Sequence, residues 1–274
     1  MQKDKLLSQL QQQDWTSHNI VLTPKLSTLS NTIPLIGDDT RTQVIRKNLQ
    51  IFQKNKKYNQ QRALDLGCLE GGLTIEMAKL GFDSLGIEGQ ASNYQKCQLL
   101  KDYFSWSNLD FLLADVKQLT PKNQGVFDVI LCCGLLYHLD EPVPFLAQLE
   151  TLMHAQGFLF LDTHIAPEDE DLAICHFKDG LSEMVEINHQ GYIYSGRWFL
   201  EYNDESEKKP WTSVSNKKSF WLTHDSLIRA LSHAGFSHIY KPYGSFELEE
   251  EFKLRQIYSR LYLIAIKDSY FAND

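Results

Sequence analysis

Residues Arg62–Gly89 read RALDLGCLEGGLTIEMAKLGFDSLGIEG, and their pattern decides the fold. Ala63–Leu66 is an apolar run that carries Asp65 and stops at Gly67, as a short buried strand does. Gly71 and Gly72 then mark a tight turn, because glycine takes positive φ and lets a ligand approach the backbone. Leu73, Met77 and Leu80 follow at helical spacing, and Gly81 provides a left-handed stop. A second short strand ends at Ile87-Glu88. Strand, glycine turn, helix, strand and acid make one βαβ unit whose first turn opens a ligand crevice. Amides at the helix start can receive a carboxylate or another polar group. An acid at the end of the second strand can accept hydrogen bonds from both hydroxyls of a ribose.

A dinucleotide fingerprint would place a glycine two residues after Gly67, where this chain has Leu69. The stretch instead resembles motif I of the class I S-adenosylmethionine (SAM)-dependent methyltransferases, an acid followed by glycines in D-x-G-x-G-x-G. Asp65, Gly67 and Gly71 match that pattern, and Leu69 departs from it. The departure bears on the shape of the turn.

Outward from this stretch, the whole chain bounds the reading. Its 274 residues suit one large domain or a domain with an insertion. With 43% hydrophobic and 23% charged residues it has the makeup of a globular protein. The net charge of −8 gives no global attraction to nucleic acid. No apolar run is long enough to span a bilayer, and MQKDKLLSQLQQQ lacks the apolar core of a secretory signal. Cys68, Cys97, Cys132, Cys133 and Cys175 form no C-x-x-C pair and read as reduced thiols, so a cytoplasmic protein is expected.

Upstream, residues 3–13 suit an amphipathic helix and residues 15–20 an extended segment. Asp38 or Asp39 can cap a helix to about Gln53, with Ile45, Leu49 and Phe52 on one face. Lys54–Gln61 reads as a polar connector. Downstream, Tyr94, Cys97, Leu100 and Phe104 mark a helix, and Leu109–Leu113 a strand ending in Ala114-Asp115-Val116. Phe127–Cys133 is continuously apolar, as strands buried on both faces of a parallel sheet are. Pro142 opens a helix that Gly157 is expected to end. Phe158–Leu161 is the fifth strand, followed by Asp162-Thr163-His164.

Residues 166–219 break the alternation. Tyr192, Tyr194, Trp198 and Tyr202 alternate like a strand, His189-Gln190-Gly191 can turn a hairpin before it, and Lys208–Lys218 reads as a loop. Thr223 can cap the last helix, which Gly235 ends. Phe236–Tyr243 and Leu261–Ile266 are the sixth and seventh strands, and Glu247–Glu251 is a solvated acidic run.

The resemblance to the methyltransferases covers Ala63–Lys267 without the insertion. It implies an α/β fold: a Rossmann-like, seven-stranded, mostly parallel sheet with helices on both faces and an antiparallel edge hairpin. The expected division is a cap over 1–60, a SAM-binding core over 61–165, an inserted substrate lid over 166–219 and the rest of the core over 220–274. LLYHLDEP after the fourth strand, and SFWLT before a helix ending in AGF, are similar to the enzymes that complete tRNA wobble uridine with carboxy-SAM. They are also similar to a broad set of bacterial methyltransferases.

The resemblance implies S-adenosyl-L-methionine as cofactor, held by Asp65, Gly67, Cys68, Gly71, Glu88, Gly89, Asp115, Val116 and Cys133. In the family, the acid at Asp115 accepts from the adenine amino group and the next amide reaches the ring; a loop acid capping a turn is the other reading. Methyl transfer is an in-line displacement, and it needs a general base only when the acceptor sheds a proton. His138, beside the expected methyl position, is a base candidate, or else it shapes its loop. His164 is a second base candidate, and Tyr137 can line the pocket or pack in the core. His18, Arg197, Trp198 and Tyr202 are candidate substrate contacts; an aromatic wall or a surface arginine is the alternative. Asp162, His164 and His176 lack the compact spacing of a metal site, so no metal is expected.

Three functions follow. The first is methyl transfer to an oxygen or nitrogen of a small molecule, such as a specialised metabolite, with nucleic acid disfavoured. The second is tRNA modification of the wobble-uridine type. The third is a SAM-binding partner protein without turnover.

Overall fold

The computed structural model describes residues 2–30, 32–52, 61–204, 209–242 and 257–267. The connector over 54–60 and the acidic run Glu247–Glu251 lie outside them. The chain divides into two compact units, Met1–Gln118 and Leu119–Asp274.

The first unit opens with helix α1 (Gln2–Gln11). The extended segment after it buries Trp15 and Ile20, and Trp15 donates its indole N–H to the Leu10 carbonyl at 2.8 Å. A small hairpin, β1 (Val21–Thr23) and β2 (Leu26–Ser27), leads to helix α2 (Thr40–Phe52). Of the two candidate caps, Asp39 is the one used: its Oδ1 accepts from the Arg41 amide at 2.9 Å. Next come β3 (Arg62–Leu66), α3 (Gly72–Leu80) and β4 (Asp83–Glu88), the expected βαβ unit. Gly81 at φ 102° ends α3 by donating to the Ala78 and Met77 carbonyls. Helix α4 (Ala91–Phe104) and strand β5 (Leu109–Leu113) follow, and a 3-10 turn, Val116–Gln118, closes the unit.

The second unit begins with helix α5 (Pro121–Gln124), fixed by a capping box between Thr120 and Asn123. Strand β6 (Phe127–Cys133) runs into a 3-10 turn, Leu136–His138. Helix α6 (Pro142–Thr151) has Pro142 in its first turn, and strand β7 (Met153–His164) follows. The inserted region holds α7 (Asp169–Leu172), β8 (Val185–His189) and β9 (Tyr192–Leu200). Strand β10 (Lys218–Leu222) leads to helix α8 (His224–His233), which Thr223 caps through the Ser226 amide. Strands β11 (His238–Tyr240) and β12 (Arg260–Ile266) complete it.

Seven strands form one sheet in the order β11-β12-β7-β6-β3-β4-β5. The pairs β3–β4, β4–β5 and β6–β7 are parallel, while β12 runs antiparallel to β7 and β11. This is the mixed α/β, Rossmann-like architecture that the alternating elements imply. A separate antiparallel sheet, β10-β9-β8, carries the aromatic insertion. Its β8–β9 hairpin turns at Gln190 (φ 51°) and Gly191 (φ 87°), the two positive φ values that a two-residue hairpin loop needs.

Two expectations are corrected. Gly157 does not end α6; it lies within β7, where an added Cβ would meet the His154 carbonyl at 2.8 Å. The fifth strand is therefore twelve residues long, not four. The added residues 153–157 sit at an irregularity in the β6 pairing between Phe127 and Val129. Beyond the polar loop, Lys218–Leu222 pairs along β9 from Leu200 to Gly196. Among the described residues, no helix is long and apolar enough to cross a membrane.

Candidate functional site

In the first unit the glycine turn is wound by three residues at positive φ: Gly67 (65°), Leu69 (54°) and Gly71 (78°). Leu69 thus takes up the left-handed conformation that a glycine holds in the motif, a conformation L-residues disfavour by roughly 1–2 kcal/mol. The turn lies on Phe111; a Cβ on Gly71 would come within 2.8 Å of that ring.

Glu88 ends β4 and is held from two sides. Its Oε2 accepts from the Leu69 amide at 2.8 Å and its Oε1 from the Gln90 amide at 2.7 Å. Burial pushes the carboxyl up to about 7, against the pull of the Gln90, Leu69 and Gly89 amides and the Asn93 side chain. An acid fixed at a strand end beside a turn of alternating positive φ fits a ribose. These residues therefore suit an adenosyl ligand.

Other expected cofactor groups have internal partners. Asp65 is buried and accepts from the Thr74 hydroxyl at 2.7 Å, so it ties β3 to α3; burial raises its carboxyl to about 6. The Gly71 amide donates to the Cys68 carbonyl, and the Gly72 amide to His18 Nδ1 at 3.0 Å. Those two helix-start amides are engaged within the protein, contrary to the expectation that they receive a ligand. Cys68 is buried, and burial raises its thiol well above the usual range. Asp115 accepts from the Lys117 amide at 2.9 Å and so caps the 3-10 turn that begins at the buried Val116. This is the turn-capping role that stood beside the adenine role.

In the second unit, β6 ends at Cys133, and Gly134 turns at φ 82° with its amide on the Asp162 carbonyl at 2.8 Å. The 3-10 turn beyond carries Tyr137 and His138. The His138 Nδ1 lies 2.9 and 2.8 Å from the two oxygens of Glu201, whose side chain is 1% exposed against 15% for His138. Facing a carboxylate, Nδ1 is the donor, and in the neutral ring the lone pair then sits on Nε2. Asn216 donates to the His138 carbonyl at 3.0 Å, Trp221 donates to the Tyr137 carbonyl at 2.8 Å, and the Phe220 amide donates to the Leu139 carbonyl at 2.8 Å. Asn216 and the β10 strand thus lace down the His138 turn.

His164 at the end of β7 donates from Nδ1 to the Tyr258 carbonyl at 2.7 Å and stacks on Trp221 at 4.9 Å. Burial, then the nearby Arg260 cation, lowers it to about 4. Tyr137 packs edge-on against His164 at 4.4 Å and Trp221 at 6.0 Å. Asp162 is fully buried and takes a two-pronged bond from Arg260 at 2.6 and 2.7 Å.

The substrate-contact candidates fare unevenly. Arg197 is 1% exposed, and its guanidinium donates to the Pro167 and Ser182 carbonyls and to Asp169. It ties the insertion together internally, contrary to the expectation that it meets a substrate acid. His18 is buried and accepts from the Gly72 amide, and burial lowers it to about 4. It braces the turn and offers a substrate little. Tyr202 is buried, and Trp198 is half-buried with its ring edge-on to Phe220 at 5.1 Å. Among the described residues, no three His, Cys, Asp or Glu side chains cluster as metal ligands.

Two acids escaped the sequence reading. Glu70 leaves its mark only as a charged residue inside a glycine turn. Glu201 leaves none, because its partner lies 63 residues away.

A family model described as a methyltransferase domain matches residues 38–241. A tRNA U34 carboxymethyltransferase of Campylobacter concisus is 32% identical over 181 residues, covering 62% of this chain and 60% of that enzyme. A ubiquinone biosynthesis O-methyltransferase of Albidiferax ferrireducens is 31% identical over 183 residues, covering 62% of this chain and 71% of its own. Among solved structures, the N-terminal domain of EvdMO1, crystallised in the presence of SAH and D-fucose, superposes with a TM-score of 0.68 at 21% identity. That match covers 97% of both chains and bears on the fold.

Proposed function

From the premise that this chain belongs to the SAM-dependent methyltransferase family, whose methyltransferase-domain model spans residues 38–241, we propose that it methylates a hydroxyl or amine of a small molecule. A specialised metabolite is the acceptor class in view. The observation that carries the reading is the His138–Glu201 pair at the end of β6. Such a pair serves an acceptor that must lose a proton; a carboxylate acceptor would need no base.

Glu88 would hold the ribose of S-adenosyl-L-methionine, and the turn from Gly67 to Gly71 would face the rest of the cofactor. When bound, that group supplies an electrophilic methyl on a sulfonium, whose carbon–sulfur electrons depart with sulfur as the acceptor attacks. Glu201 fixes the Nδ1–H tautomer and the plane of His138. His138 Nε2 then takes the proton from the acceptor oxygen or nitrogen. Tyr137 and Trp221 shape the wall beside the base, and the insertion over 166–219 serves as the acceptor's cover, with Trp198 on it.

The named tRNA relatives raise the other substrate class. A small acceptor and an unmodified cofactor are supported by cations among the described residues that already have acids: Arg41, Lys96, Arg197 and Arg260 pair with Asp39, Glu70, Asp169 and Asp162. The chain's match spans 60% of the Campylobacter enzyme's length. Incubating the protein with methyl-labelled SAM and, separately, metabolite extract and total tRNA tests the reading. Label is expected in the small-molecule fraction; label in tRNA alone would overturn it, and SAM binding without any product would point to a non-catalytic role.

A further inference from the structure

Glu70 sits in the middle of the glycine turn and is 0% exposed. A carboxylate buried at such a place needs several donors. It has them: the Thr16 amide at 2.7 Å and hydroxyl at 3.1 Å, the Ser17 amide at 3.0 Å and the His18 amide at 2.9 Å. Lys96 from α4 adds an ion pair at 2.9 Å and also donates to the Asp14 carbonyl. Burial pushes this carboxyl up, but the His18 amide, Lys96 and the remaining amides bring it below the usual range overall. His18 closes the arrangement by accepting from the Gly72 amide at 3.0 Å. The segment 14–18 therefore grips the turn on both sides of Gly71.

The residue beside Glu70 is the one that pays the conformational cost. Leu69 stands at φ 54° without being glycine, and such outliers persist only where surrounding contacts over-determine them. Its amide bonds Glu88 Oε2 at 2.8 Å, and its carbonyl accepts from the Cys97 thiol at 3.3 Å. If Leu69 relaxed to negative φ, its peptide would rotate and Glu88 would lose the amide that holds its Oε2.

We propose that Glu70 is a positioning residue for the cofactor: anchored by the amides of residues 16–18 and by Lys96, it holds Leu69 at positive φ, so that the Leu69 amide keeps Glu88 set to receive a ribose. The proposal rests on the reading that Glu88 binds the cofactor's ribose. It explains why this turn works with leucine at a glycine position, and it makes the N-terminal segment part of the cofactor site.

The test is calorimetric titration of SAH into the full chain and its variants, with thermal melts to confirm folding. Glu70→Gln should weaken SAH binding about tenfold, the scale on which loss of an orienting partner acts on a ligand-binding group. In turnover it should raise the KM for SAM and leave kcat at saturation close to its original value. The decisive variant is Leu69→Gly in the Glu70→Gln background. Glycine adopts positive φ without an external hold, so the double variant should recover most of the lost affinity. Because Leu69→Gly also lifts the cost of positive φ from the fold as a whole, the comparison is made at a temperature where melts show the single and double variants fully folded, so that a difference in affinity reports the site and not fold stability. Should Glu70→Gln fail to fold, Lys96→Met, which keeps the three backbone donors, should show a smaller loss that Leu69→Gly again restores.

Wild-type affinity in folded Glu70→Gln, or a double variant as weak as the single, overturns the proposal. Absence of SAH binding by the unaltered chain overturns the ribose reading of Glu88 first, and this inference with it.

Discussion

In residues 61–118 the two strand acids proposed for the cofactor side, Asp65 and Glu88, are held by partners close in sequence, whereas the Glu70 anchor reaches back to residues 16–18. Glu88 meets the amide of Leu69, 19 residues earlier, and that of Gln90, two residues later. Asp65 meets Thr74 nine residues on. In residues 119–274 the corresponding work falls to side chains far apart in sequence. His138 meets Glu201 across 63 residues, Tyr137 meets Trp221 across 84, and Asp162 meets Arg260 across 98. A ligand shared by a whole family can be recognised by strand ends and a tight turn, which any sequence with the right φ angles supplies. A base aimed at one particular acceptor has to be assembled from whatever the insertion contributes.

The sharpest way to break this contrast is to disable the long-range dyad and look for an effect on the first region. His138→Ala should lower kcat by roughly 10²–10⁴, the range in which a general base contributes. Glu201→Gln keeps the shape but removes the charge that fixes the tautomer, and should lower kcat less than His138→Ala does. Both variants should bind SAH as the unaltered chain does, measured by calorimetry. Altered SAH affinity in either would mean that the two regions are not separable, and an unchanged kcat would remove His138 from the chemistry.

The same contrast explains what was legible in the sequence. Seven strands in their order, the α3 stop at Gly81 and the hairpin turn at Gln190-Gly191 each rest on local rules: alternation, a left-handed stop, a two-residue loop. The glycine turn and the place of Glu88 at the end of β4 were legible for that reason. Arg197 was misjudged because an arginine amid aromatics gives no sign of which carbonyls will surround it; here they are those of Pro167 and Ser182. Glu201 was invisible because no periodicity links it to His138. The length of β7 was missed because Gly157 looks like a helix stop, and only pairing with β12 from Phe158 onward reveals a strand.

A second test measures how far the acceptor side depends on its side-chain pairs. Arg260→Met would leave the fully buried Asp162 carboxylate without its two-pronged partner. Removing one member of a buried pair is destabilising by roughly 3–5 kcal/mol. The low end applies, because the Arg260 side chain keeps 29% exposure and water can reach it. Denaturant unfolding checks this. Replacing both partners by apolar residues of similar size should return much of the loss, since the pair's value lies in mutual satisfaction more than in net attraction. Loss of less than about 1 kcal/mol, as for an exposed pair, would mean that this region is not held by its long-range pairs.

The smallest predicted effect lies on the cofactor side and is read through pH. Glu88 is raised from 4.5 to about 7, chiefly by burial, and Asp65 from 3.8 to about 6 for the same reason. Between the unfolded and folded values the native chain holds protons that the unfolded chain has released. The free protein should therefore lose stability as pH rises from about 4 towards 7, because the unfolded state binds fewer protons there. Ligand binding should show the opposite slope. Ribose hydroxyls donate to a carboxylate, so SAH requires Glu88 ionised, and its affinity should climb by up to tenfold per pH unit below 7 and level off above. Calorimetry from pH 5.5 to 8.5 in two buffers of different ionisation heat would show release of up to one proton on binding below about 7. Glu88→Gln should abolish the slope as well as weaken binding. A flat profile in the unaltered chain would mean that Glu88 already stands ionised on its Leu69 and Gln90 amides, and that backbone donors alone, without help from the ligand, offset the burial of this acid.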